Sequence, residues 1–119
     1  MALQIVWTEN AIEDYRLVID YLLIEWPLPV AEKFIETIEK RIEVLSNFPN
    51  IGIASVKDPS IRSIILTKHN KLYYRLYSDK IEILNIFDTR QNPEKNLFGY
   101  KKANYKRNKN NTSNFQMIN

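Results

Sequence analysis

Leu72-Tyr73-Tyr74-Arg75-Leu76-Tyr77, then Ser78-Asp79-Lys80, then Ile81-Glu82-Ile83-Leu84-Asn85-Ile86-Phe87-Asp88 is the stretch that decides the fold. Strand side chains alternate between faces, so Leu72, Tyr74 and Leu76 share one face and Tyr73, Arg75 and Tyr77 the other. The second run is apolar on both faces, as a central strand would be. The short join between the runs makes a hairpin. Upstream, Ile61 to Leu66 forms a third run, joined by Thr67-Lys68-His69-Asn70-Lys71. Together they predict a three-stranded antiparallel meander.

Working outward, Ile53 to Ser60 reads as a loop, and Pro49-Asn50-Ile51-Gly52 as a turn. Before it, Val30, Ala31, Phe34, Ile35, Ile38, Ile42 and Leu45 form an apolar stripe at helical spacing, predicting a helix over 29–47. An earlier stripe, Ala11, Tyr15, Val18, Leu22 and Trp26, broadened by Ile12, Ile19 and Leu23, predicts a helix over 9–25 with Thr8 as its N-cap. Pro27 and Pro29 stop it. So short a connection predicts an antiparallel helical hairpin. Leu3 to Trp7 alternates as a short strand, which must pair with an edge or the centre of the meander. The order strand-helix-helix-strand-strand-strand is an α+β two-layer domain. Its hairpin packs on one face of a small, mainly antiparallel sheet and leaves the other face free.

Residues 1–100 are read as this domain. After Tyr100, Lys, Arg and Asn dominate, and such a composition builds no core. Residues 101–119 are therefore read as a mobile basic tail.

The chain has 119 residues and a net charge of +3, a remainder of opposites. Residues 1–50 hold nine acids against four bases, and residues 90–119 hold seven bases against one acid. Such asymmetry points to an acidic partner on the basic side. With no cysteine, one histidine and two glycines, thiolate chemistry, multi-histidine metal sites and phosphate-cradling glycine loops are excluded. No cofactor and no metal are expected. No apolar run reaches the roughly 18 residues of a membrane span, and the N-terminal stretch lacks the marks of a signal peptide, so a cytoplasmic chain without membrane contact is expected.

Few catalytic schemes survive. His69 is read as a solvated turn residue rather than a general base. The arginines stand out: Arg62, Arg75 and Arg90 lie on or at the ends of successive strands, with Lys68, Lys71, Tyr73 and Tyr77 nearby. Guanidinium groups interleaved with rings on an open sheet face would suit nucleic acid. The competing reading pairs Arg75 with Asp79 or Glu82 and half-buries the tyrosines.

Trp7-Thr8-Glu9-Asn10-Ala11, Tyr15 and Tyr21, Ala31 and Phe34, Phe48-Pro49-Asn50-Ile51-Gly52, Ile61-Arg62, Leu72-Tyr73-Tyr74-Arg75-Leu76 and the run from Ile81 to Pro93 occur in an order that resembles the RelE/ParE toxin superfamily, over about residues 3–98. The resemblance implies the toxin of a type II toxin–antitoxin, or plasmid-stabilisation, module. Its partner would be a cognate antitoxin, in a hetero-oligomer. ParE-like members poison DNA gyrase; RelE-like members cleave mRNA on the ribosome without metal. The long hairpin favours the ParE-like branch. So does Ile53-Ala54-Ser55-Val56, where RelE-like proteins carry lysines and this chain has only Lys57. On that reading no catalytic residue is assigned, and Arg62, Arg75, Arg90, Lys68 and Lys71 are candidate contacts with target or nucleic acid. On the ribonuclease reading, Arg62, Arg90, Lys71 and Tyr100 are the candidate catalysts. A non-toxic nucleic-acid- or protein-binding module, resting on the basic C-terminal segment, is the third reading.

Overall fold

A computed structural model describes residues 2–89. Arg90, Tyr100, the proposed boundary at residue 100 and the basic tail lie outside the described residues. The elements run β1 (Gln4–Trp7), α1 (Glu9–Glu25), α2 (Leu28–Asn47), β2 (Ile53–Ala54), β3 (Ile61–Thr67), β4 (Asn70–Leu76) and β5 (Lys80–Asp88). They form one sheet in the order β1-β5-β4-β3-β2. β1 is parallel to β5, and every other pairing is antiparallel.

The meander forms as its alternation requires, and β1 takes the edge beside β5. β5 is therefore an interior strand, which explains its apolar residues on both faces. One strand was not foreseen: Ile53 and Ala54 pair with Ser63 and Arg62 as a short edge strand inside the expected loop. Two residues carry no periodicity, so only tertiary pairing reveals them.

α1 starts where Thr8 caps it. The Thr8 Oγ1 accepts from the Ala11 N–H at 3.1 Å and reaches the Ile83 carbonyl at 2.9 Å and the Leu84 carbonyl at 3.1 Å. One side chain thus begins the helix and ties it to β5. β5 runs on past the end of β1, and side chains of α1 cover that bare edge in place of a strand. Asn10 Nδ2 reaches the Leu84 carbonyl at 3.5 Å, and the Asp14 carboxylate accepts from the Ile86 N–H at 3.0 Å. Burial pushes the Asp14 carboxyl up to about 6; the Ile86 hydrogen bond only partly offsets this, and neighbouring Glu13 adds to the rise. α2 opens one residue earlier than expected, at Leu28. It has no side-chain cap, and a proline sits in its first turn, where a missing N–H costs nothing. The helices return antiparallel, with Tyr15 of α1 against Phe34 of α2 at 6.3 Å between ring centroids.

The main core lies between helices and sheet: Ala11, Val18, Phe34, Ile38 and Leu45 against Ile64, Leu66, Leu72, Tyr74, Ile81, Ile83 and Ile86. The switch from odd to even numbers along β5 has a cause. Tyr73 pairs with Asn85 and Tyr74 with Ile83, so Leu84 is an extra, bulged residue that shifts the alternation by one. The opposite face, expected from sequence to be free, is not. It carries a second buried cluster of Ile61, Tyr73, Leu84 and Phe87.

Part of the helical stripe is not core. Leu23, Trp26, Leu28 and Val30, together with Ile24, stand exposed around the hairpin turn.

Candidate functional site

The cations read as one platform do not converge. Arg62 faces Tyr74 across the β3–β4 ladder, and Arg75 faces Ile61. Tyr74 belongs to the helix-side core and Ile61 to the opposite cluster, so the two guanidinium groups leave the sheet on opposite faces. This corrects the expectation of a shared arginine–tyrosine surface.

Each is also committed. Arg62 Nη1 donates to the Gly52 carbonyl at 2.7 Å and to the Asn50 carbonyl at 3.2 Å. Beside it, the Tyr74 hydroxyl donates to the Pro49 carbonyl at 2.7 Å and accepts from the Gly52 N–H at 3.0 Å. The turn over 49–52 is thus latched from beneath by two strand side chains. Glycine is required there, because an added Cβ would lie 2.5 Å from the Tyr74 hydroxyl and 2.9 Å from the Ser63 carbonyl. Burial raises the Tyr74 pKa, and the Gly52 hydrogen bond and Arg62 charge pull it back only in part. The phenol therefore stays protonated and serves as a hydrogen-bonding strut, not a base.

Arg75 Nη1 meets Ser60 Oγ at 2.6 Å and Asp58 Oδ2 at 3.3 Å. Its acidic partner is therefore Asp58 in the loop before β3, not Asp79 or Glu82. Hydrogen bonds from Ser60, then from Arg75, hold the Asp58 carboxyl below its usual range. Tyr77 instead meets Glu82, hydroxyl to carboxylate, at 3.1 Å. Lys80 lies 4.9 Å over the Tyr77 ring, within cation–π range; Lys71 sits at the limit of that range, 6.0 Å from the Tyr73 ring. Tyr73 is only 3% exposed, so no base can stack on it. Lys68 projects from the exposed β3–β4 turn. Among the described residues, no three His, Asp or Glu side chains gather closely enough to hold a metal ion. No helix among them is long and apolar enough to cross a membrane.

His69 is not simply solvated. With Thr67, Asn70 and Asp88 it forms the polar end of a groove of about 390 Å³, whose apolar wall is Val18, Tyr21, Leu22, Trp26, Val30 and Phe34. No serine lines it, so no Ser-His pair arises there. The exposed groups around its mouth include Trp26 at 53% and Leu28 at 57%. Sequence reasoning placed Trp26 and Val30 in the core; their position beside two prolines was the signal that they cap a protruding turn. A connected exposed apolar patch of this kind marks a protein-binding surface.

A second groove, of about 400 Å³, has Trp7 of β1 as its floor and Ile12, Tyr15, Ile38, Glu39 and Ile42 of the two helices as walls. Trp7 and Tyr15 pack at 5.5 Å between centroids. Burial, then the Glu39 charge, raises the Tyr15 pKa.

The model of the ParE toxin of type II toxin–antitoxin systems, parDE, matches residues 5–93. No curated protein is similar enough to match. Among solved structures, a chain of the chromosomal ParDE system of P. aeruginosa is similar at 21% identity and a TM-score of 0.61, over 73% of this chain and 96% of that one. A YoeB/ParE toxin from Agrobacterium tumefaciens is similar at 16% identity and 0.51, covering 71% and 95%. A chain of the E. coli DinJ–YafQ toxin–antitoxin complex is similar at 13% and 0.53, covering 83% and 100%. At these identities the structures speak for the fold alone, a hairpin on a mixed five-stranded sheet. The family model spans most of the chain, including both helices and all five strands, and on that ground the chain belongs to the ParE toxin family of type II toxin–antitoxin systems.

Proposed function

We propose that this chain is a ParE-like growth inhibitor that acts on DNA gyrase by binding it, and that a cognate antitoxin holds it inactive. One observation carries the choice of target class. Of the candidate catalysts of a metal-independent ribonuclease, Arg62 and Lys71 lie among the described residues, and they leave the sheet on opposite faces: Arg62 faces Tyr74 of the helix-side core and Lys71 faces Phe87 of the opposite cluster. Transition-state stabilisation needs preorganised donors converging on one point, and these two converge on none. Exposed apolar side chains gather at the hairpin turn, Trp26, Leu28 and Val30, which suits a protein target.

The test is direct. Purified chain added to gyrase and supercoiled plasmid should accumulate cleaved DNA and inhibit supercoiling at micromolar concentration. Unaltered supercoiling, together with codon-dependent mRNA cleavage on translating ribosomes, would overturn the proposal in favour of the RelE-like activity. Absence of growth arrest on induced expression would favour the non-toxic binding module.

A further inference from the structure

The groove beneath the hairpin turn opens where the chain leaves the sheet. Val18, Leu22, Trp26, Val30 and Phe34 wall it, and His69 and Asp88 stand at its polar end. Asp88 is the last residue of β5, and the N–H of Thr89, the next residue, donates to the His69 carbonyl at 2.8 Å. The exit of the chain is thus pinned beside the groove. The hairpin side of the groove is not closed over, because Ile24, Trp26, Leu28 and Val30 all stand exposed.

The charge beside the groove has one dominant sign. α1 and α2 together carry nine acids against four bases. Glu25 is next to Trp26, and Glu32 is two residues from Val30; both are exposed and enter no ion pair among the described residues. Residues 101–119 have the complementary composition. They hold five bases, Lys101, Lys102, Lys106, Arg107 and Lys109, no acid, and then Phe115, Met117 and Ile118. Phe115 is 26 residues beyond Thr89, a stretch that extends to about 85 Å, whereas the longest dimension of the molecule is 41 Å.

We propose that residues 101–119 fold back onto the hairpin of their own chain. Phe115, Met117 and Ile118 cover Trp26, Val30 and the groove, and the cations from Lys101 to Lys109 face Glu25 and Glu32. Apolar contact holds the segment, and charge complementarity selects the acidic hairpin over other apolar surfaces. The same segment of a second copy is the poorer occupant, because tethering at Thr89 gives the chain's own segment an effective concentration on the order of millimolar. Nucleic acid is the poorer partner for the cations, because it would lie against the acidic helices. A target that binds the hairpin turn then has to displace this segment first. The inference does not depend on whether that target is gyrase.

The chain has no cysteine, so Ser113→Cys carries a single nitroxide label on the full chain. In low salt the label should broaden the Trp26 indole and Val30 amide resonances. The Ile53 amide, on the short strand at the far end of β3 from Thr67, serves as the reference. High salt, or reversal of Lys101, Lys102, Lys106 and Arg107 to glutamate, should restore the lost signals. Phe115→Ser together with Ile118→Ser should do the same. An unchanged spectrum of the remaining β-sheet amides shows that each variant is folded. Trp26 and Val30 signals no more affected than Ile53 overturn the proposal. Broadening of equal size when the nitroxide and the isotope label sit on different copies assigns the segment to a second chain and overturns contact within one chain. Resonances of the segment that shift only when duplex DNA is added, with the hairpin untouched, overturn it in favour of nucleic acid.

Discussion

Replacing Asp14 with asparagine should make this protein more stable at neutral pH. The Asp14 carboxylate sits between α1 and β5, accepts the Ile86 N–H at 3.0 Å, and titrates at about 6 where an ordinary aspartate titrates at 3.8. Between those values the folded state holds a proton that the unfolded state has released. Stability from this group is therefore complete below pH 3.8 and is lost as pH rises through 6. The gap between the two values is worth roughly 3 kcal/mol at about 1.4 kcal/mol per tenfold. Asparagine keeps an oxygen to accept the Ile86 N–H and removes the buried charge. Urea unfolding followed by tryptophan fluorescence should show wild type and Asp14→Asn nearly equal near pH 4. The variant should gain steadily, to about 1–3 kcal/mol above pH 7. Asp14→Ala removes the acceptor as well and strands the Ile86 N–H, so it should lose about 1–3 kcal/mol relative to Asp14→Asn at every pH. A difference between wild type and Asp14→Asn that stays constant from pH 4 to 7.5, or a variant less stable at pH 7.5, would mean that burial does not hold a proton on Asp14.

Four further outcomes follow from the site. Gly52→Ala drives a methyl group into Tyr74 and should cost about 1–3 kcal/mol in thermal unfolding; an unchanged melting temperature would mean that the turn gives way easily. Tyr74→Phe leaves the Pro49 carbonyl and Gly52 N–H unpaired and should cost a similar amount, about 1–3 kcal/mol. Arg62→Gln should lower stability while folded protein still arrests growth and acts on gyrase; a stable but non-toxic variant would return Arg62 to the set of target contacts. Trp26→Ala should cost no more than about 1 kcal/mol, since its side chain is 53% exposed, yet weaken binding of the antitoxin or of gyrase in titration. Unchanged affinity for both would remove the hairpin turn from the binding surface.

Arg62 is legible in the sequence as a strand cation, but its partners are not. Its place at the start of a strand, beside a family motif, made it a candidate cation for target or transition state. Its hydrogen bonds to the Gly52 and Asn50 carbonyls depend on a turn ten residues earlier curling back under the sheet. No local pattern encodes that approach. Arg75 is similar, because its partner Asp58 lies in the loop before β3 and is distant in sequence. His69 looked solvated because lysines flank it, and only the docking of the hairpin gives it an apolar wall.

By itself the sequence determined the elements, β2 apart, and their class. Apolar periodicity, the Thr8 cap and the prolines at 27 and 29 set two helices, and strict alternation set the meander, because these signals are local and survive without tertiary context. It also carried the family, through an ordered set of short matches. The tertiary structure decided what packing alone can decide. It placed β1 parallel to β5, shifted the faces of β5 through the bulge at Leu84, and sent Arg62 and Arg75 to opposite sides of the sheet. It turned Trp26 and Val30 from core into surface. The physical reason is common to all four: a side chain's face follows from local spacing, but its partner is whatever distant segment the fold brings to that face.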